Sequence, residues 1–258
     1  MTYEHILFDL NATGVATLTL NRPDSLNALS PAMVDELREA VEGLAGSGAR
    51  ALLLTGAGRG FSSGADLAGG GLPDDAGLML ERHLNPLVEA LFHCPLPIVT
   101  AVNGPCAGAG CSLALAGDIV VAGRSAYFLQ AFINIGLVPD AGATWLLPRL
   151  AGRARALEMM LLGERIPAEK AAEWGLISRV VEDEALASEA VALATRLAEG
   201  PTVAHGLLRR LARDAEQLSL TDALAAERIA QRDAGRTADF KNAVMAFLQK
   251  QPPRFEGR

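Results

Sequence analysis

Ile98-Val99-Thr100-Ala101-Val102 followed by Asn103-Gly104-Pro105-Cys106-Ala107-Gly108-Ala109-Gly110-Cys111 is the stretch whose reading decides the fold. Residues 98–102 form a short apolar run with β-branched side chains, the pattern of a strand buried on both faces. Glycines 104, 108 and 110 mark a tight turn, 111–116 reads as a short helix, and 119–122 is a third buried strand. The same grammar stands upstream. Residues 51–55 are a buried strand and 56–71 a glycine-rich stretch. Residues 80–92 then form a helix with Leu84, Leu87, Val88 and Leu91 on one face. Strand, glycine loop and helix in repetition predict an α/β fold with parallel strands.

Before this unit, 6–9 and 15–20 read as two strands joined by the polar turn 11–14. Ser30-Pro31 opens a helix, with serine as N-cap and proline at the first helical position; Met33, Leu37, Ala40, Val41 and Leu44 follow at helical spacing, and Gly46-Ser47-Gly48 ends it. From Arg153 the chain reads as helical, apart from a strand at 177–181. Leu186, Ala190, Leu193 and Leu197 make one apolar stripe. Gly200-Pro201 breaks the chain, and helical stretches follow around 207–211, 224–229 and 244–248. The expected organisation is an α/β core over 1–199 and a helical C-terminal segment over 200–258. That segment is too small to bury its own apolar faces, so it is expected to pack on the core or on another subunit.

Composition narrows the function. The 258 residues carry a net charge of -7 with a pI near 5.2, which argues against a nucleic-acid binder with a basic face. Cys94, Cys106 and Cys111 have no framework spacing and read as reduced thiols of a cytoplasmic protein. No Cys/His cluster has metal-ligand spacing, no apolar run is long enough for a bilayer, and Met1-Thr2-Tyr3-Glu4-His5 lacks a signal-peptide pattern. No glycine run has the G-x-G-x-x-G spacing of a dinucleotide fold.

Two loops are placed to do chemistry. The first is Gly60-Phe61-Ser62-Ser63-Gly64-Ala65-Asp66-Leu67 and the second is 103–111. The second opens a helix, whose first N–H groups lack partners and sit at the positive end of its dipole. Two such N–H groups aimed at one oxygen make an oxyanion hole. Taken singly, each loop also reads as an ordinary tight turn.

Taken together, the loops resemble those of the crotonase (enoyl-CoA hydratase/isomerase) superfamily. Asn21-Arg22-Pro23-Asp24-Ser25-Leu26-Asn27-Ala28-Leu29 resembles its N-terminal signature, and Gln251-Pro252-Pro253-Arg254-Phe255 its tail. The resemblance implies a spiral of ββα units (ClpP-like) with a helical C-terminal trimerisation segment, assembled as a homotrimer or a dimer of trimers. It implies an acyl-CoA thioester substrate and no separate cofactor, since coenzyme A comes with the substrate. It puts the oxyanion N–H groups at Ala65 and Ala109. Substrate and CoA contacts would come from Arg22, Leu26, Ala28, Ser63, Gly64, Asp66, Leu67, Gly108 and Lys250. For Asp66 a loop-fixing role is the plainer reading.

Acid and base decide the reaction. Hydratases of this family use two glutamates; the matching positions here are Ser112 and Phe132, so both carboxylates are missing. Adding water needs one group to activate it and another to supply the second proton. Asp140, in Val138-Pro139-Asp140-Ala141-Gly142, resembles the catalytic acid/base of the family's isomerases that rearrange a ring-epoxide phenylacetyl-CoA. Asp140 also stands where an N-cap would. Phe132, Ile133, Leu137, Val138 and Trp145 could wall it off from water, raising its pKa. A capping bond would lower it. The resemblance thus implies an isomerase that shifts a proton with Asp140, on a ring-epoxide phenylacetyl-CoA or from 3-enoyl- to 2-enoyl-CoA, with a hydratase of the same family as the alternative and two rivals from other classes. One is a hydrolase using Ser62, because 60–64 fits G-x-S-x-G and Asp140 and His205 follow in order. The other is a scaffold that has kept the fold without the chemistry.

Overall fold

A computed structural model describes residues 3–67 and 75–258. The stretch 69–79, expected from the sequence to shape the acyl pocket, lies outside the described residues over 69–74, as do Met1 and Thr2. Strand β1 (Ile6–Leu10) pairs antiparallel with β2 (Val15–Leu20) across a turn in which the Asn11 side chain accepts from the N–H groups of Thr13 and Val15. Helix α1 (Pro31–Glu42) begins as its sequence predicts, with Ser30 Oγ accepting the Met33 N–H. Then come β3 (Ala51–Gly56), α2 (Ala76–Met79), a π-helical turn (Leu80–Leu84) and α3 (Asn85–His93). The expected helix over 80–92 is thus a longer helical run widened by a π turn, a feature often found near functional sites.

β4 (Ile98–Val102) leads into β5 (Pro105–Ala107) and α4 (Gly108–Leu115). After β6 (Ile119–Gly123) and β7 (Tyr127–Leu129) come α5 (Ala143–Ala151), α6 (Arg153–Leu162), β8 (Ile166–Pro167), α7 (Ala168–Glu173) and β9 (Arg179–Val181). Four helices close the chain: α8 (Leu186–Ala198), α9 (Thr202–Asp214), α10 (Leu220–Gly235) and α11 (Ala238–Leu248). The main sheet has the order β1-β2-β3-β4-β6-β9, parallel from β2 onward, and a small second sheet has the order β5-β7-β8. This second sheet breaks up what the sequence suggests are plain loops. Its strands are two or three residues long, too short for periodicity to show.

Alternation in β3 divides the core. Leu52 and Leu54 face α1, α3 and α4, while Ala51 and Leu53 face the opposite side with Val99, Ala101 and Val121. There α8 lies close, because its inward residues at i, i+4 and i+8 are Ala190, Ala194 and Ala198. Helix α9 is bolted to the core by buried Arg209. Its guanidinium pairs with Asp118 and donates to the carbonyls of Leu91, Phe92 and Cys94 at the C-terminal end of α3, where the Cys94 N–H reaches only Leu91 O. Arg50 ties down the chain's end by donating to the Gly200 and Phe255 carbonyls and to Thr202 Oγ1. None of the described helices is long and apolar enough to cross a membrane.

Candidate active site

The first loop owes its shape to the segment before α1. Leu26 and Asn27 both take left-handed backbone, with φ of 53° and 55°. That turns the Asn27 side chain into the protein, where it is fully buried. Its Nδ2 donates to the carbonyls of Ala57 and Gly60, each at 2.9 Å, and its Oδ1 accepts the Arg22 N–H at 2.9 Å. Leu29 then bridges the loop: its N–H donates to Gly64 O at 2.8 Å and its carbonyl accepts from Asp66 N–H at 3.1 Å. In a parallel bridge of this kind the residue between the two bonds turns its own amide the other way. Ala65 is that residue. No backbone carbonyl among the described residues takes its N–H.

The second loop lies directly against the first. Ala107 N–H donates to Ser62 O at 2.8 Å, and Ser62 N–H to Pro105 O at 3.1 Å. Gly64 has φ of +94°, and a Cβ there would stand 3.0 Å from the Ala107 carbonyl oxygen, so only glycine fits. Gly110 is required for a different reason: its Cβ would come 2.5 Å from that of Ser62. Ala109 is the second residue of α4, whose N-cap, Ala107, has no side chain to cap with. Its N–H is one of the four that a helix start leaves without an intrahelical partner. A Cβ on Gly108 would lie 3.6 Å from Gly64 Cα. Ala65 and Ala109 are each the next residue along from this contact.

Asp140 does not cap α5. The N-cap is Gly142, preceded by Ala141, and both are left-handed at φ of 79° and 50°. This double turn points the Asp140 carbonyl into the protein, where it accepts from Ala143 N–H at 3.0 Å and from Ser112 Oγ at 3.1 Å. The carboxylate is left without such support: Oδ1 is buried and has no hydrogen-bond partner. Burial alone raises the Asp140 carboxyl to about 6. Ser112 stands one turn beyond Gly108 on α4, so one helix touches both the second loop and the Asp140 segment.

The two positions that match the hydratase glutamates hold no acid. Ser112 is buried, its hydroxyl on the Asp140 carbonyl, and Phe132 is buried with its ring tip 3.8 Å from where a Gly108 Cβ would stand. The expected apolar wall needs correcting. Of its five residues only Phe132 is buried. Ile133, Leu137 and Val138 are exposed at 43%, 43% and 79%. The cause is local: 131–135 winds as a 3-10 helix, whose tighter period turns Ile133 outward. Trp145 faces away as well, edge-on to Phe92 with ring centroids 5.2 Å apart and stacked beneath Arg149.

Arg22 and Asp66 meet each other. Arg22 Nη1 is 2.8 Å from Asp66 Oδ2 and also donates to the Ala28 carbonyl, which fits the loop-fixing role for Asp66. Ser63 donates from Oγ to Ser25 O and from N to Leu26 O, while Leu67 is exposed. Lys250 lies in an exposed turn after α11, with φ of 56°. The hydrolase alternative fails. Ser62 is fully buried, its hydroxyl donating to Asn27 O at 2.8 Å and accepting from Gly64 N–H; β3 ends at Gly56, and the described residues directly after the serine, 63–67, are not helical. His205 lies in α9 beside Gly200, not at Ser62. Two residues to which sequence reasoning gave no role of their own hold the loops and the Asp140 segment, Asn27 and Ser112. An asparagine next to a glycine-rich partner loop is a fair signal for the first, since asparagine tolerates left-handed backbone. The second had no local signal.

The family model for enoyl-CoA hydratase/isomerase matches residues 11–258. The 1,2-epoxyphenylacetyl-CoA isomerase of Escherichia coli (strain K12) is 50% identical over 251 residues, 95% of this chain and 96% of that protein. The "Probable enoyl-CoA hydratase" of Rhodobacter capsulatus is 45% identical over the full length of both. Among solved structures, the enoyl-CoA hydratase from Bacillus anthracis superposes with a TM-score of 0.93 at 30% identity, covering 99% of this chain and 100% of that one. With the glycine loops locked together and the family model spanning all but the first ten residues, the chain belongs to the enoyl-CoA hydratase/isomerase family and has its crotonase fold.

Proposed function

We propose that this enzyme is an acyl-CoA isomerase in which one aspartate, Asp140, moves a proton on a substrate whose thioester is polarised by main-chain amides. The observation that carries the reading is a contrast within the site. Both positions where a hydratase keeps a glutamate hold a serine and a phenylalanine, while Asp140 holds a buried, unbonded carboxylate oxygen. Hydration needs two proton-handling groups. A 1,3-proton shift needs one, because the base that takes the proton becomes the acid that returns it.

The thioester oxygen sits between the N–H groups of Ala65 and Ala109. As the proton leaves carbon, negative charge builds on that oxygen, and each donor is worth about 3 kcal/mol of transition-state stabilisation. Asp140 takes the proton and delivers it two carbons away on the same face. For a ring-epoxide phenylacetyl-CoA, the activity in the E. coli relative's name, the same two donors stabilise the charge that develops as the ring C–O bonds rearrange. Coenzyme A enters with the substrate, and no other cofactor takes part. The exposed apolar side chains of α11, among them Phe240, Phe247 and Leu248, support burial against another subunit, as in a homotrimer or a dimer of trimers, and the free thiols of Cys94, Cys106 and Cys111 fit a cytoplasmic setting.

The test is a panel of 3-enoyl-, 2-enoyl- and ring-epoxide phenylacetyl-CoA thioesters, followed by absorbance and mass spectrometry. Isomerised product of unchanged mass, lost in Asp140→Asn, is the expected result. Rapid hydration of crotonyl-CoA would return the protein to the hydratases, and failure to bind any acyl-CoA would leave a scaffold.

A further inference from the structure

Asp140 is positioned through its backbone, and the side chain that does so comes from the helix that also bears an oxyanion donor. Residues 137–140 have no regular secondary structure. Two bonds hold the Asp140 carbonyl. One, from Ala143, is internal to the turn. The other, from Ser112 Oγ at 3.1 Å, reaches across to α4. Ser112 is 1% exposed and lies one turn after Gly108, whose carbonyl is 3.5 Å from the same hydroxyl. The hydroxyl therefore stands between the turn that presents Ala109 N–H and the residue that presents the carboxylate.

We infer that Ser112 is a positioning residue, a strut that fixes the distance from the Ala109 amide to the Asp140 carboxylate by holding the main-chain carbonyl of residue 140. This deepens the proposed isomerase function and rests on it. The chemical logic is one of division. A donor placed on the carboxylate itself would orient it, but would also stabilise its charge and weaken it as a base. A donor placed on the carbonyl of the same residue orients the side chain through the backbone and leaves both carboxylate oxygens to the substrate. A side chain with a carboxylate at 112 could not do this, because an ionised carboxylate accepts and does not donate. Serine at this position thus removes one acid and aims the other.

Ser112→Ala removes the strut. Alanine suits a helix at least as well as serine, and the Ala143 bond still satisfies the Asp140 carbonyl, so the fold is retained. The readouts are kcat on 3-hexenoyl-CoA, the dissociation constant of hexanoyl-CoA, which cannot isomerise, and the melting temperature. A carboxylate free to drift by a fraction of an ångström should cut kcat about tenfold, while hexanoyl-CoA binding shifts by less than about threefold. Ser112→Thr keeps the hydroxyl and should recover most of the lost kcat. Where the extra methyl prevents its folding, Ser112→Ala alone decides. Unchanged kcat in Ser112→Ala overturns the strut, as does a folded threonine variant as slow as the alanine one. A fall in melting temperature with kcat intact would mean packing only, and also overturns it. Asp140→Asn, run alongside, separates the two failures. If it is inactive and Ser112→Ala is normal, only the strut falls; if it turns over normally, the isomerase assignment falls with it.

Discussion

Two aspartates stand beside the two loops, and they are treated in opposite ways. Asp66 directly follows the exposed amide of Ala65, is ion-paired to Arg22, and donates its own N–H to Leu29. Asp140 stands across α4 from the second loop, with a buried oxygen that has no hydrogen-bond partner and a carbonyl that two donors hold. Asp66 is a fastener: its charge is neutralised and its backbone is stitched into the loop. Asp140 has the opposite arrangement, a fixed backbone and an idle charge. Of the two acids, the proposed base is the one with the unbonded oxygen, and each bond to a carboxylate would stabilise the form that has already lost its proton.

The sharpest way to break this contrast is to neutralise each in turn. Asp140→Asn should lower turnover about a thousandfold, within the range expected for removing a positioned general base, while acyl-CoA binding persists. Asp66→Asn should cost about tenfold, through displacement of the Ala65 amide rather than loss of a proton carrier. Similar losses in both variants, measured as kcat on one substrate, would erase the distinction.

The pH profile tests the same contrast without mutation. With the Asp140 carboxyl at about 6, kcat/KM should fall below that pH with a slope of one proton and level off above it. A profile flat to pH 5 would point to a bonded base. The smallest effect is on stability. The folded-state value lies above the ordinary 3.8, so this group favours folding most below that value, and the benefit is lost as pH rises through about 6. At pH 8 the buried charge is a burden of roughly 2 kcal/mol after allowing for partial solvation. Asp140→Asn should therefore melt a few degrees higher than the native protein at pH 8 and show no gain at pH 4.

Much of the architecture was legible in the sequence because burial enforces simple patterns. The runs at 51–55, 98–102 and 119–122 are apolar because parallel strands are covered on both faces, and all three lie in the main sheet. What stayed hidden was set by backbone geometry. Ile133, Leu137 and Val138 are apolar and close in sequence, and nothing in their order shows that a 3-10 turn turns Ile133 outward or that the irregular segment after it leaves Leu137 and Val138 exposed. Asp140 carries the signature of a helix cap, and two left-handed residues move the cap to Gly142. The bond from Ser112 links positions 28 residues apart, a separation at which no periodicity operates.

The buried guanidinium of Arg209 has a consequence for how the polypeptide is made. It closes the end of α3 from 115 to 118 residues downstream, so when the nascent chain has emerged only as far as Gly200 the Phe92 and Cys94 carbonyls lack the guanidinium that covers them, and Asp118 lacks its cation and keeps only the Ile98 N–H. The sheet and its loops can form early, but they cannot be sealed until translation has nearly finished. A product truncated at Gly200 should therefore be degraded or held by chaperones rather than accumulate as a smaller working enzyme.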